Sequence, residues 1–185
     1  MVPLVRFGNW LGVFGITLVL LVVFALQFTE RALPGPLGLL QRVGFVLCGF
    51  GFLLNLRFGA HPAHYGAAIL GALFGLAVSG RQALLYILPG ESGYGPPLLG
   101  LHLYSWTFVF FAVVLLGIAV LLLFGSAAEP DRRDGRRGPV MGGLSRLAAW
   151  LLIAVTLANA VATFALCGPI ECPDKPSSYW LLSRF

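Results

Sequence analysis

The sequence predicts an all-helical membrane protein, built as a four-helix transmembrane bundle with a fifth transmembrane helix added. Three observations support this prediction. Apolar residues make up 58% of the 185 residues, charged residues make up only 10%, and five stretches are long and apolar enough to cross a bilayer. Soluble domains carry about 25% charged residues, so this chain has too few to cover a water-exposed surface. The composition also excludes a disordered or a collagen-like chain.

The five predicted spans follow from hydropathy and length. A helix that crosses about 30 Å of hydrocarbon needs about 20 mostly apolar residues. The stretches that meet this requirement are residues 7–29, 32–56, 65–88, 101–124 and 147–170. The first span has no small-residue cleavage site after its apolar stretch, so we expect a true membrane helix rather than a signal peptide.

Glycines in the second and third spans indicate helices that approach each other closely. Small residues allow such contact in membranes, although lipid also tolerates glycine that contacts nothing. The candidate contact positions are Gly44, Gly49, Gly51, Gly66, Gly71, Gly75 and Gly80.

The basic residues of the loops predict the orientation, because cytoplasmic loops carry an excess of Lys and Arg. With a cytoplasmic N-terminus, seven basic residues lie inside and three outside. The inner set is Arg6, Arg57, Arg132, Arg133, Arg136, Arg137 and Arg146, and the outer set is Arg31, Lys175 and Arg184. We therefore expect the N-terminus inside and the C-terminus outside. The expected divisions are a four-helix core (1–125), a basic linker (126–145), a fifth helix (146–170) and a tail (171–185).

Two arginines, Arg42 and Arg81, lie inside predicted spans. An arginine at mid-bilayer costs about 2.5–3.5 kcal/mol. Arg42 follows Pro36 by six residues and Arg81 precedes Pro89 by eight. At 1.5 Å per residue these positions lie about 9 Å and about 12 Å from the outer helix ends. The opposite chain directions of the two spans therefore bring both arginines to a similar depth in the outer leaflet.

These arginines and their polar neighbours form the candidate binding site, which consists of Gln41, Arg42, Arg81, Gln82 and His102. Guanidinium and amide donors at one depth suit the carbonyl oxygens of a quinone, whose apolar tail would stay among the helices. A fixed positive charge would also stabilise the reduced, anionic form. Two other interpretations remain open: the arginines snorkel to the headgroups, or they bond carbonyl groups between helices.

The run LPGPLGLLQR at residues 33–42 resembles the start of the second helix in the disulfide bond formation protein B (DsbB) family. That family has Pro-Cys-x-x-Cys-x-x-x-Arg there, commonly with Gln before Arg. Gly35 and Gly38 occupy the two cysteine positions, and Ile87 stands where many members have histidine. The loop at residues 89–100 lacks the family's second cysteine pair. The resemblance covers roughly residues 10–125.

The resemblance implies a protein of the bacterial inner membrane that passes electrons from a periplasmic thiol protein to a quinone of the ubiquinone type. Arg42 matches the family's quinone-proximal arginine. Thiol–disulfide exchange requires a thiolate, so the glycines imply that CxxC chemistry is lost while the quinone half of the site is kept. The N-terminus is then cytoplasmic and the C-terminus periplasmic.

Cys167 and Cys172 follow the fifth span, and the turn residues Gly168 and Pro169 could bring them within disulfide distance. We expect either a structural bridge that orders the tail or a relocated redox pair. The redox interpretation requires the tail to fold back over the arginines. Cys48, alone in the second span, is expected to be a buried packing residue.

Two functional hypotheses follow. The first is a DsbB-like quinone-binding protein of the thiol/disulfide electron-transfer type. The second is a non-catalytic accessory subunit that packs against a larger membrane complex, such as a respiratory one. Expected contacts are lipid and one of these protein partners, and nucleic acid is not expected. We expect no metal site, because His61 and His64 are separated by Pro62 and have no carboxylate near them.

Overall fold

The computed structural model consists of five long α-helices. They are α1 (Pro3–Thr29), α2 (Pro36–Phe58), α3 (Pro62–Leu85), α4 (Leu103–Gly125) and α5 (Gly143–Cys167). The structure describes residues 3–29, 33–88, 93–95, 97–125, 142–169, 172–173 and 178–181. Across these ranges there is no strand, only an isolated bridge between Leu98 and Leu101. Each helix is long and apolar enough to span a membrane, so the all-helical, multi-pass prediction is confirmed.

The helix ends differ from the predicted ends by at most four residues. Both α2 and α3 begin at a proline, Pro36 and Pro62, because proline suits the first turn, where the backbone N–H has no partner within the helix. The apolar span began at residue 32, whereas the helix begins at Pro36, the start from which the depth of Arg42 was counted. At the other end of the chain, α5 stops at Cys167 because Gly168 adopts a positive φ of 66°.

Glycines bring the backbones of α2 and α3 into close contact. A Cβ atom added to Gly71 would lie 2.9 Å from the backbone nitrogen of Cys48, and one added to Gly44 would lie 3.0 Å from the Cα of Gly75. A Cβ atom on Gly66 would meet nothing within 4 Å. The prediction of close approach is thus confirmed at Gly44, Gly71 and Gly75, whereas Gly66 faces open space.

Aromatic rings join this pair of helices to α4. Phe45 on α2 stacks on Phe111 of α4 with ring centroids 4.2 Å apart, and the Phe111 ring fills the space over Gly75 on α3. Helix α1 packs against α2 and also contacts α4, which closes a four-helix core. Helix α5 lies beside this core against α1 and α2.

A buried amide network stabilises the end of the bundle where α1 begins and α2 ends. Asn55 Nδ2 donates to Asn9 Oδ1 (2.9 Å), and Asn9 Nδ2 donates to the Tyr65 hydroxyl (2.7 Å). His64 Nδ1 lies 3.1 Å from Asn55 Oδ1, and the backbone N–H of His61 donates to the same oxygen. These bonds tie α1, α2 and α3 together and explain the positions of both histidines.

Candidate functional site

Arg42 is the centre of the second polar cluster, at the opposite end of the bundle. Its side chain is 6% exposed, and its Nη1 donates to Gln27 Oε1 on α1 (3.0 Å) and to Asn159 Oδ1 on α5 (2.8 Å). None of the described residues is acidic. A buried charge is costly unless polar groups surround it. Here two neutral amide oxygens solvate the guanidinium, and its positive charge remains uncompensated within the described part of the chain.

A second chain of hydrogen bonds lies beside Arg42 and links α2, α3 and α4. Gln41 Nε2 donates to Gln82 Oε1 (2.8 Å), and the Thr107 hydroxyl donates to Gln41 Oε1 (3.0 Å). Thr107 Oγ1 also lies 2.8 Å from the backbone oxygen of Tyr104. The side chains of Gln41, Gln82 and Thr107 are all buried. Their hydrogen bonds therefore fix the amide of Gln41, the residue before Arg42.

A small cavity opens between these side chains, with a volume of about 70 Å³. The Nε of Arg42 is buried and has no hydrogen-bond partner within the described residues. A buried donor without an acceptor costs about 1–3 kcal/mol, and the residue that carries this donor also lines the cavity. The cavity is lined by Val23, Leu26, Pro34, Gly38, Gln41, Arg42, Gln82, Tyr94, Gly95, Leu103, Tyr104 and Thr107.

Three of the five predicted site residues therefore line one cavity: Gln41, Arg42 and Gln82. The other two do not. Arg81 is exposed on the outer surface of α3, because its neighbour Gln82 is the residue that faces the core. His102 packs edge-on against Tyr104, with ring centroids 5.3 Å apart, and is absent from the cavity lining. The structure therefore does not bring Arg81 and His102 into the cavity that Arg42 lines.

Sequence reasoning missed Gln27, Asn159, Thr107 and Tyr179. The first three are polar residues inside apolar helices. Such side chains tend to form hydrogen bonds between helices, so their position in the sequence could have identified them as candidates. Tyr179, on the tail, accepts a hydrogen bond from Gln27 Nε2 (2.9 Å) and stacks on Phe28 of α1. The tail thus folds back to the partner of Arg42.

The two glycines at the CxxC positions lie at the start of α2. Gly35 is the residue before the helix, and Gly38 lines the cavity. A Cβ atom on Gly38 would meet only the Pro34 side chain, at 3.4 Å. The position that carries the second cysteine in the DsbB pattern is therefore next to the cavity and has room for a side chain.

The cysteines of this chain lie elsewhere. Cys167 and Cys172 form a disulfide with Cα atoms 4.7 Å apart. Cys48 is buried, as predicted, and its Sγ donates to the backbone oxygen of Ala68 (3.3 Å). The disulfide lies at the beginning of the tail.

A larger cavity of about 480 Å³ lies at the other end of the bundle, between the starts of α1 and α5. Its polar groups are the exposed Arg6, the hydroxyl of Ser145 and the indole N–H of Trp10. No hydrogen-bond network like that of Arg42 converges on it among the described residues. We therefore place the candidate site at Arg42, where a buried charge and several amides meet.

The comparisons with known proteins agree with the resemblance seen in the sequence. A family model described as Disulfide bond formation protein DsbB matches residues 5–94. Disulfide bond formation protein B from Nitrosomonas eutropha is 38% identical over 90 residues, which cover 44% of this chain and 56% of that protein. The chain thus spans about half the length of this curated relative. No solved structure matches the chain.

The matched region contains α1, α2 and α3, and with them Gln27, Gln41, Arg42 and Gln82. It ends before α4 and leaves out α5 and the tail. Over residues 5–94, just under half of the chain, the sequence is similar to the disulfide bond formation protein B (DsbB) family.

Proposed function

We propose that this protein binds a quinone of the ubiquinone type at Arg42, in a bacterial inner membrane, and that its CxxC disulfide chemistry is lost. One observation carries the proposal. Arg42 is a buried, amide-solvated guanidinium with an unpartnered Nε–H, and it lines a cavity at a membrane-embedded helix junction.

The chemistry of the donors fits a quinone head group. Its ring carbonyl oxygens are neutral acceptors, and Arg42 Nε offers a donor that lacks an acceptor. The guanidinium is not neutralised by a carboxylate of the described residues, so its charge would favour an electron-rich ligand. Gln41 and Gln82, which bond each other, would hold the adjacent wall in place. When bound, the quinone would supply a two-electron acceptor.

The size of the cavity limits how a quinone would bind. About 70 Å³ is well below the about 300–1,000 Å³ of pockets that enclose drug-sized ligands. We therefore expect the cavity to receive the carbonyl edge of the ring, while the apolar tail stays in the surrounding lipid. Three residues form the part of the wall that is not helical: Pro34, which precedes α2, and Tyr94 and Gly95, which precede α4.

The thiol–disulfide part of the family's reaction requires two cysteines at the start of α2. Glycine at positions 35 and 38 supplies no sulfur, so a periplasmic thiol protein would have no CxxC to exchange with at the start of α2. We therefore propose a protein that keeps the quinone site without the relay. The alternative, an accessory subunit of a larger membrane complex, would use the same bundle for packing and does not require a bound quinone.

The test compares two arginines at the same end of the bundle. The wild type and the variants Arg42→Gln, Arg42→Lys and Arg81→Gln would be purified in mild detergent, and their bound quinones extracted and quantified per protein. We expect Arg42→Gln to lose about nine-tenths of its quinone, because hydrogen bonds from charged groups contribute about 1.5–3 kcal/mol. Arg42→Lys should retain an intermediate amount, and Arg81→Gln should match the wild type.

Helical content, measured by circular dichroism, controls for misfolding of the variants. Equal quinone in all four proteins would contradict a site at Arg42. A wild type that retains no quinone, even after growth and purification with added ubiquinone, would contradict quinone binding and favour the accessory-subunit role.

A further inference from the structure

The part of the chain outside the family match supplies direct contacts to the Arg42 site. Asn159 on α5 accepts a hydrogen bond from Arg42 Nη1 (2.8 Å), and its own Nδ2 is held by the backbone oxygen of Val155 (2.8 Å). The second amide partner, Gln27, is bonded in turn by Tyr179 of the tail. Both amides that solvate the buried charge therefore depend on α5 or on the segment that follows it.

The tail is held against the bundle by several contacts. The backbone N–H groups of Trp180 and Leu181 donate to Leu166 O and Ala165 O, at the end of α5 (3.1 Å each). The Trp180 ring covers Gly168, where an added Cβ atom would lie 2.6 Å from a ring carbon. The Cys167–Cys172 disulfide closes the turn between α5 and the tail. Together these contacts place the Tyr179 hydroxyl beside Gln27.

We infer that Asn159 and Tyr179 are positioning residues for Arg42, and that the disulfide-closed tail keeps Tyr179 in place. This inference rests on the proposed quinone site and adds α5 and the tail to it. The physical reason is that an amide side chain accepts hydrogen bonds at its oxygen and donates them at its nitrogen. Gln27 must turn its oxygen toward Arg42, and the Tyr179 hydroxyl secures that orientation by accepting from the nitrogen. Without Tyr179, the Gln27 amide is free to rotate away from the guanidinium.

The same geometry assigns a structural role to the disulfide. Cys167 follows Asn159 by eight residues on α5, which is about 12 Å along the helix axis. Thiol–disulfide chemistry proceeds by direct attack of a thiolate, and Cys167 lies about 12 Å along α5 from the level at which Asn159 contacts Arg42. The bridge therefore acts on Arg42 by holding the tail, and not by passing electrons to a group bound there.

The experiment uses the full chain in detergent or nanodiscs and measures two quantities. The first is the dissociation constant of a short-chain ubiquinone. The second is hydrogen exchange at the Trp180 and Leu181 amides, which reports the position of the tail whether or not quinone is bound. The variants are Asn159→Leu, Tyr179→Phe, Gly168→Ala and the pair Cys167→Ser with Cys172→Ser.

Two control variants remove a buried polar group that does not bond to Arg42 or to its amide partners. Thr156→Val removes a buried hydroxyl on α5 that has no hydrogen-bond partner among the described residues, and Tyr65→Phe removes a tyrosine hydroxyl at the other end of the bundle. We expect quinone binding to weaken about tenfold in Asn159→Leu and about fivefold in Tyr179→Phe and in the disulfide variant. Quinone affinity in Gly168→Ala should fall as much as in the disulfide variant. The affinity of the two controls should stay within about twofold of that of the wild type.

Hydrogen-exchange protection of the Trp180 and Leu181 amides distinguishes the role of the tail from that of Asn159. It should fall in Gly168→Ala and in the disulfide variant, because these release the tail, and remain high in Asn159→Leu. Unchanged quinone affinity in both Asn159→Leu and Tyr179→Phe would overturn the inference, and so would loss of tail protection without a change in affinity. If Arg42→Gln also leaves affinity unchanged, the proposed quinone site itself is wrong. If Arg42→Gln alone weakens binding, only the role of α5 and the tail is wrong.

Discussion

At the scale of single residues, Arg42 and Arg81 show what sets an arginine's role in a membrane helix. Both lie near the same end of the bundle, yet Arg42 is buried and bonded to two amides while Arg81 is exposed. Sequence spacing predicted that both lie near the same end of the bundle. It could not give their direction, because lipid-facing and core-facing surfaces of these helices are similarly apolar, and the polar–apolar contrast that reveals the buried face of a soluble helix is weak.

The neighbouring residues Arg81 and Gln82 offer a direct test of this difference. Gln82→Leu leaves the Nε2 group of Gln41 without its acceptor, so we expect the free energy of unfolding to fall by about 1–2 kcal/mol. Arg81→Leu, one position away and exposed, should change it by less than about 0.5 kcal/mol. Both are measured by denaturant titration of helical content in mixed micelles. A larger loss in Arg81→Leu would show that the buried face of α3 is assigned incorrectly.

At the scale of helices, hydropathy predicted all five elements, and local chemistry explains where their ends differ. Pro36 and Pro62 fix the starts of α2 and α3, and Gly168 fixes the end of α5. Which glycines contact a neighbouring helix could not be read from composition. Gly71 and Gly66 lie on the same helix five residues apart, but only Gly71 faces α2.

This pair of glycines tests the close packing of α2 on α3. In Gly71→Ala the new methyl group would crowd the backbone of Cys48, which cannot move independently of α2. We expect a loss of about 1–3 kcal/mol in the free energy of unfolding. Gly66→Ala enters open space and should be neutral within about 0.5 kcal/mol. Similar losses in both variants, measured under the same denaturing conditions, would contradict the described contact between the helices.

At the scale of the whole molecule, the family-matched region and the remainder of the chain meet at Arg42. The region at residues 5–94 supplies the guanidinium and three glutamines, α4 supplies Thr107, and α5 supplies Asn159. The sequence indicated a four-helix core with a fifth helix attached. It did not indicate that α5 contacts Arg42, because the contact joins residues 117 positions apart and no local pattern encodes such a distance.

Restoring the missing cysteines would test whether the rest of the site still suits the family's chemistry. Gly38 lines the cavity and has room for a side chain, so Gly35→Cys with Gly38→Cys should allow oxidation of a small dithiol. The balanced reaction converts one dithiol and one quinone into a disulfide and a quinol. We expect quinone-dependent dithiol loss in this double variant. The wild type and a control with serine at both positions should show none.

If the double cysteine variant binds quinone yet oxidises no dithiol, then the cavity does not bring a bound quinone next to the start of α2. The loop at residues 89–100 has no cysteine, so transfer to a protein substrate is not expected even when the small dithiol reacts.

The most direct measurement of the central claim is photolabelling with an azido-substituted short-chain quinone, followed by peptide mapping. We expect the label to fall on peptides that contain residues 34–42 and 94–107, and excess unmodified ubiquinone to abolish it. The label should be lost in Arg42→Gln and retained in Arg81→Gln. Label spread over the lipid-facing surfaces of all five helices, unchanged by competitor or by Arg42→Gln, would contradict a quinone site at Arg42.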